Sequence, residues 1–265
     1  MSTVLYDVDE HVAIITLNRP EKLNALNLTA YAEATDAFAR ANADRNVRCI
    51  VFTGAGKCFC SGDDVVEIMA QGGGLEQQIQ QLDPAQPYSS APPLVNEMLN
   101  ARCPIINAVN GAAVGIGIEL SLLCDIRIAS EHARFSEMFV RRGVIGTHAS
   151  FNLLPAIVGP AVAAEMLLTG CMVSAERALA TGLVSYVMPA DQLMPKALEL
   201  AHMIVANPPL AVEKARHALR LQRDHQSGSI DRYVSDSLRE LVASADHKES
   251  VQAFIEKREP VYQGR

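Results

Sequence analysis

The chain has 265 residues, enough for one large domain or a core with a smaller appendage, and 49% are hydrophobic against 20% charged. A formal net charge of −7 argues against nucleic acid as the main partner, since phosphate binding needs a concentrated basic surface. No apolar stretch approaches the roughly 20 residues that span a bilayer, and Met1 to Glu10 lacks the basic and apolar regions of a signal peptide, so no membrane role and a cytoplasmic location are expected.

Thr3 to Tyr6 and Val12 to Leu17 are β-rich runs around a turn-like Asp7-Val8-Asp9-Glu10-His11, which predicts a hairpin. Asn18-Arg19-Pro20 ends it, and a helix is expected after Asn27 or Thr29, running to about Ala43. Val47 to Thr53 is a short apolar run closed by Gly54-Ala55-Gly56, which suggests a buried strand and turn. Residues 71 to 93 carry three successive glycines, a glutamine cluster and four prolines, the composition of a mobile loop of the kind that covers active sites. A helix is expected over 94–101, a strand over Ile105 to Val109, and a mainly apolar helix from Gly115 to Leu123. Strands are expected at Ile126 to Ala129 and Leu183 to Met188, with helices at 150–158, 161–169, 174–180 and 190–206. Strands alternating with helices predict an α/β fold. Beyond about residue 208 strand signal vanishes, and Leu210 to Arg223 and Ile230 to Ala243 read as amphipathic helices. That shift divides the chain into a core, 1–195, and a C-terminal helical region, 196–265.

The six cysteines include one close pair, Cys58-Phe59-Cys60, and no second pair or histidine cluster completes a zinc site, so buried free thiols are expected. Common catalytic patterns are absent: there is no Gly-x-Ser-x-Gly, no His-Glu-x-x-His and no Walker loop. Two glycine-rich segments are more informative. Cys58 to Asp64 and Ala108 to Leu120 each place glycines where a buried strand turns towards a helix. Glycine lets backbone N–H groups approach a ligand closely, and two such amides aimed at one oxygen form an oxyanion hole. Tight turns alone would need the same glycines.

The run Asn18-Arg19-Pro20-x-x-x-Asn24-Ala25-Leu26, the segment Phe59-Cys60-Ser61-Gly62-Asp63-Asp64, the block Ala108 to Asp125 and the tail Ala253 to Arg258 occur in order. Together they resemble the signatures of the enoyl-CoA hydratase/isomerase (crotonase) family over nearly the whole chain. The resemblance implies a spiral of ββα repeats followed by a C-terminal helical trimerisation region, and a homotrimer or dimer of trimers. It implies an acyl-CoA thioester as substrate, with no cofactor beyond the CoA moiety. It places the amides of Asp63 and Ile116 around the thioester oxygen. The CoA would run past Lys22, Ala25, Leu26, Ser61 and Asp64, with Phe254 and Lys257 from the C-terminal helix. Val66 stands where the family often has a further lysine.

Glu119 stands out without the resemblance, as the one acid inside the apolar run Val114 to Leu123, where burial should be costly and raise its pKa. The resemblance makes it one of the two hydratase glutamates. The position of the second is held by Phe139, and an aspartate used by other members is replaced by Thr147. Glu137 lies two positions from the expected acid, so its side chain is expected to point elsewhere unless a bulge brings it in. His148 is a candidate proton-exchanging partner. The expected activity is a hydratase-like lyase with double-bond isomerisation as close second. Thioester hydrolysis, decarboxylation or a non-catalytic CoA-binding scaffold are the alternatives.

Overall fold

The structure is a computed structural model that describes residues 2–70, 92–147, 149–207, 209–224, 236 and 238–261. Residues 71–91 of the loop expected at 71–93, the residue His148 and half of the expected helix at 230–243 lie outside the described residues.

The N-terminal hairpin forms as β1 (Val4–Asp9) and β2 (Val12–Leu17), paired antiparallel around Glu10 and His11 in left-handed conformations. Helix α1 (Leu28–Ala43) starts where the side chain of Asn27 accepts the Ala30 N–H, satisfying an orphan donor of the first turn. It buries Ala30, Ala34, Ala37, Phe38 and Ala41, one stripe at helical spacing.

From β3 onward the chain repeats one manoeuvre. A strand enters a large sheet, the next strand enters a small one, and a helix or irregular segment returns. Thus β3 (Cys49–Gly54) is followed by β4 (Cys58–Cys60), and α2 (Pro93–Leu99) leads into β5 (Ile105–Val109). Then come β6 (Ala112–Val114), α3 (Ile116–Leu123), β7 (Ile126–Ser130) and β8 (Arg134–Ser136). After α4 (Leu154–Val158) and α5 (Pro160–Thr169), β9 (Val173–Ser174), α6 (Ala175–Ala180) and β10 (Tyr186–Met188) complete the turns. The large sheet has the order β1-β2-β3-β5-β7-β10 and the small one β4-β6-β8-β9. Beyond the antiparallel first hairpin and the antiparallel β8–β9 pair, every ladder is parallel. This is the spiral of ββα units.

Both faces of the inner strands β3 and β5 are covered, so these read as continuous apolar runs rather than alternating ones. Ile50 and Phe52 of β3 face the main core, where Phe52 packs edge-on between Phe38 and Phe59 with ring centroids 5.2 and 5.1 Å away. Cys49 and Val51 face the other way, onto Leu193, Ala197 and Ala201 of α7 (Leu193–Val205). Helix α8 (Pro209–Asp224) is tied to the core by the buried Arg216, whose Nε lies 2.7 Å from the Asp125 carboxylate. Helix α9 (Ala245–Glu256) packs on the segment Met138–Arg142, with the His247 Nδ1 donating to the Arg142 carbonyl at 2.8 Å.

Two expectations need adjusting. The strand expected from Leu183 begins only at Tyr186, because Leu183 and Val184 follow the left-handed turn at Gly182 and enter the core instead of a ladder. All six cysteines are thiols rather than disulfides, but Cys171 is only half-buried, next to the Gly170 turn that ends α5. No helix among the described residues is long and apolar enough to cross a membrane.

Candidate active site

Three neighbouring parallel strands of the small sheet end side by side. β4 ends in Ser61-Gly62-Asp63, β6 in Gly115-Ile116, and β8 in Glu137. The carboxyl ends of parallel strands are where α/β folds form their crevices. A fourth segment lies on the other side of β4. Leu26 bridges to Asp63, donating its N–H to Gly62 at 2.9 Å and accepting the Asp64 N–H at 2.8 Å.

The glycines are required for this approach. Gly62 and Gly115 have φ values of +112° and +56°, and a Cβ on Gly115 would stand 3.9 Å from the Gly62 Cα. The two glycine-rich motifs therefore meet. Among the described residues, neither the Asp63 nor the Ile116 N–H donates to a backbone carbonyl. The ring of Phe139 closes over Gly115, at 3.8 Å from such a Cβ.

The motif at Asn18 to Leu26 has a structural task beside any ligand contact. Asn24 takes a left-handed conformation that asparagine tolerates. Its side chain is buried, accepts the Arg19 N–H at 2.8 Å and donates to the carbonyls of Ala55 and Cys58. Arg19 in turn donates to the Ala25 carbonyl at 2.6 Å and pairs with Asp64 at 3.1 Å. Ser61 donates its N–H to Leu23 at 3.1 Å. Ala25, Leu26, Ser61 and Asp64 are thus held together at the strand ends. Lys22 is exposed at the end of a short 3-10 turn. Phe254 and Lys257 lie at the far end of α9, where the Arg142 guanidinium covers the Phe254 ring at 4.2 Å and Lys257 caps the helix.

Glu119 projects from the first turn of α3 and is 1% exposed. The Thr147 N–H donates to its Oε1, the Thr147 hydroxyl lies 2.9 Å from both of its oxygens, and the Ser150 hydroxyl lies 2.7 Å from Oε1. Gly146 makes room for this arrangement, since a Cβ there would collide with the Ser150 side chain. The same Ser150 Oγ is 2.7 Å from Oε2 of Glu137, which is fully buried. The expectation that Glu137 points elsewhere is thereby corrected: following the short β8 it turns inward and reaches Glu119 through one hydroxyl. Burial, and then the charge of Glu119, hold the Glu137 carboxyl well above the usual carboxylate range. Asp63 accepts the Tyr31 hydroxyl at 2.6 Å, and its own carboxyl is raised to about 6, chiefly by burial and further by Glu119.

The sequence reading weighed Glu137 but turned it away from the site, and it did not single out Ser150 or Tyr31. A lone acid between Phe135 and the apolar Met138-Phe139-Val140 was a signal for Glu137 of the same kind that singled out Glu119. Nothing local marks Ser150 or Tyr31.

A family model described as enoyl-CoA hydratase/isomerase matches residues 7–265. The (E)-benzylidenesuccinyl-CoA hydratase of Thauera aromatica is 38% identical over 98% of this chain and 99% of its own. The 2,3-dehydroadipyl-CoA hydratase of Escherichia coli (strain K12) is 33% identical over 100% of both. Among solved structures, an enoyl-CoA hydratase/isomerase from Pseudoalteromonas atlantica T6c superposes with a TM-score of 0.84 at 31% identity, covering 98% of this chain and 100% of that one.

Proposed function

The chain belongs to the enoyl-CoA hydratase/isomerase family, and from that premise we propose that it adds water across the double bond of a 2-enoyl-CoA thioester. The observation that carries this reading is the meeting of the Gly62 and Gly115 turns one helical turn from the buried Glu119. The N–H groups of Asp63 and Ile116 receive the thioester oxygen. Glu119 takes a proton from water, whose oxygen bonds to Cβ while the double-bond electrons move to the thioester oxygen. The enolate then collapses and Cα takes the proton back from Glu119, so one water is added and the enzyme is restored. Removing one donor from such a hole costs about 10²–10³ in rate, and a positioned acid/base contributes about 10²–10⁴.

Double-bond isomerisation is the second reading. Phe139 favours it, since an aromatic ring closes over Gly115 at the position of the second acid, and a single base suffices to carry a proton between two carbons. In both readings the CoA runs along Lys22, Ala25, Leu26, Ser61 and Asp64 towards Phe254 and Lys257. The exposed Met203, Leu210 and Leu219 of the region after residue 195 support its role in subunit association as a trimer or dimer of trimers.

Incubation with a panel of 2-enoyl- and 3-enoyl-CoA thioesters, beside Glu119→Gln, tests the reading. A product heavier by one water means hydration, and an unchanged mass with a moved double bond means isomerisation. Loss of about 10²–10⁴ in turnover is expected in the variant. A variant as active as wild type would remove Glu119 from the chemistry.

A further inference from the structure

The hydroxyl of Ser150 lies 2.7 Å from a carboxyl oxygen of Glu119 and 2.7 Å from one of Glu137. A serine hydroxyl has one hydrogen to donate. Were both glutamates ionised, one of these short contacts would set an oxygen lone pair against another. Both can be hydrogen bonds only if at least one carboxyl carries a proton.

The surroundings decide which one. Apart from Ser150, the Thr147 N–H and the Thr147 hydroxyl both converge on Glu119 Oε1, which is how a carboxylate is solvated in a protein. Glu137 has Ser150 on Oε2, and its Oε1 is buried with no hydrogen-bond partner among the described residues. An unpartnered carbonyl oxygen of a neutral acid is far cheaper to bury than an unpartnered carboxylate oxygen. We infer that Glu137 is a neutral carboxylic acid that donates its proton to Ser150 Oγ, so that the hydrogen of Ser150 is turned to Glu119 and the pair carries a single negative charge there. Glu137 is then a positioning residue for Glu119, acting through Ser150. Its role in turnover rests on the hydratase/isomerase reading, but its protonation state does not.

The titratable and charged groups around it fit this assignment. Glu119 on α3 is the charge that acts on it, and the same charge acts on Asp63, which accepts the Tyr31 hydroxyl. The guanidinium groups of Arg141 and Arg142 are turned to the Thr169 carbonyl and the Phe254 ring, and the His247 ring of α9 is turned to the Arg142 carbonyl.

Infrared spectroscopy of the ligand-free chain at pH 8 tests the assignment without requiring turnover. Asp63, at about 6, is ionised there. Wild type should show the carbonyl band of a buried neutral carboxylic acid that shifts in heavy water. The band should vanish in Glu137→Gln, persist in Glu119→Gln, and move to higher frequency in Ser150→Ala, where the acid loses its acceptor. Ser150→Ala should also lose about tenfold or more in kcat on whichever enoyl-CoA wild type turns over, as one hydrogen bond to a charged group is removed. A wild type without the band, a band that survives in Glu137→Gln, or a band unmoved in Ser150→Ala would each overturn the inference. The wild-type and Ser150→Ala spectra decide it even if Glu137→Gln does not fold. If wild type turns over no thioester while the band behaves as described, the functional reading fails and the protonation state stands.

Discussion

Gly117 lies in the first turn of α3, where alanine would favour the helix by about 1 kcal/mol through intrinsic propensity. Packing opposes that gain. A Cβ at this position would stand 2.9 Å from the Cys60 Cβ, and closer still to the Cys60 carbonyl oxygen, against roughly 3.5–4.0 Å for relaxed carbon contacts. β4 is fixed by its ladder to β6, so α3 must retreat by about 1 Å. Overpacking of this kind costs about 1–3 kcal/mol, which outweighs the propensity term. A net loss of about 1 kcal/mol lowers the melting temperature by only ~2–4 °C. The chemistry should suffer more. The Ile116 N–H moves with α3 while the Asp63 N–H stays with β4, and a 1 Å misplacement costs about 10²-fold. In Gly117→Ala, kcat for a 2-enoyl-CoA should therefore fall about a hundredfold with KM little changed, because the hole acts on the transition state. Steady-state kinetics beside a thermal melt measure both effects. A folded variant whose kcat stays within about threefold of wild type would refute the assignment of these two amides.

Asp63, raised from 3.8 to about 6 by burial and by Glu119, favours the folded state below about pH 4 relative to neutral pH, and that contribution is lost as pH rises through about 6. Asp63→Asn, which keeps an acceptor for Tyr31, should therefore stabilise the chain by about 1 kcal/mol more at pH 7.5 than at pH 5. Equal melting shifts at the two pH values would count against it. Arg216 is buried, pairs with Asp125 at 2.7 Å and donates to the carbonyls of Met98 and Ala101. Arg216→Met leaves Asp125 without its cation and should cost about 3–5 kcal/mol, a fall of roughly 10 °C in melting temperature. A calorimetric scan showing a change under about 2 °C would rule out a stabilising role for that ion pair.

The inner strands of the large sheet, β3, β5 and β7, were legible because they run five or six residues and are largely buried, so each stands out as an apolar run. The small sheet was not. Cys58–Cys60, Ala112–Val114, Arg134–Ser136 and Val173–Ser174 are too short to show any period. That gap had a cost at the site, because it hid the fact that Glu137 follows a strand adjacent to the one that delivers Ile116. Glu119 was legible from its apolar neighbours. The link through Ser150 was not, since it joins residues 13 and 31 positions apart that only the spiral brings together. Asn24 and Arg19 were singled out as part of a motif, but their role in clasping the strand ends depends on three-dimensional contacts with Ala55, Cys58 and Asp64.

Ending β4 and β6 side by side makes the sheet a ruler. One oxygen can sit at about 2.9 Å from two N–H donors only if they are no farther apart than about 5.8 Å. Neighbouring strands are spaced at about 4.7–4.9 Å by the peptide hydrogen bonds between them, whatever their side chains. The tolerance of the proposed hole is thus met by the backbone alone. The side chains at 63 and 116 do not set this spacing, whereas the glycines beside them, at 62, 115 and 117, are bound to the gauge.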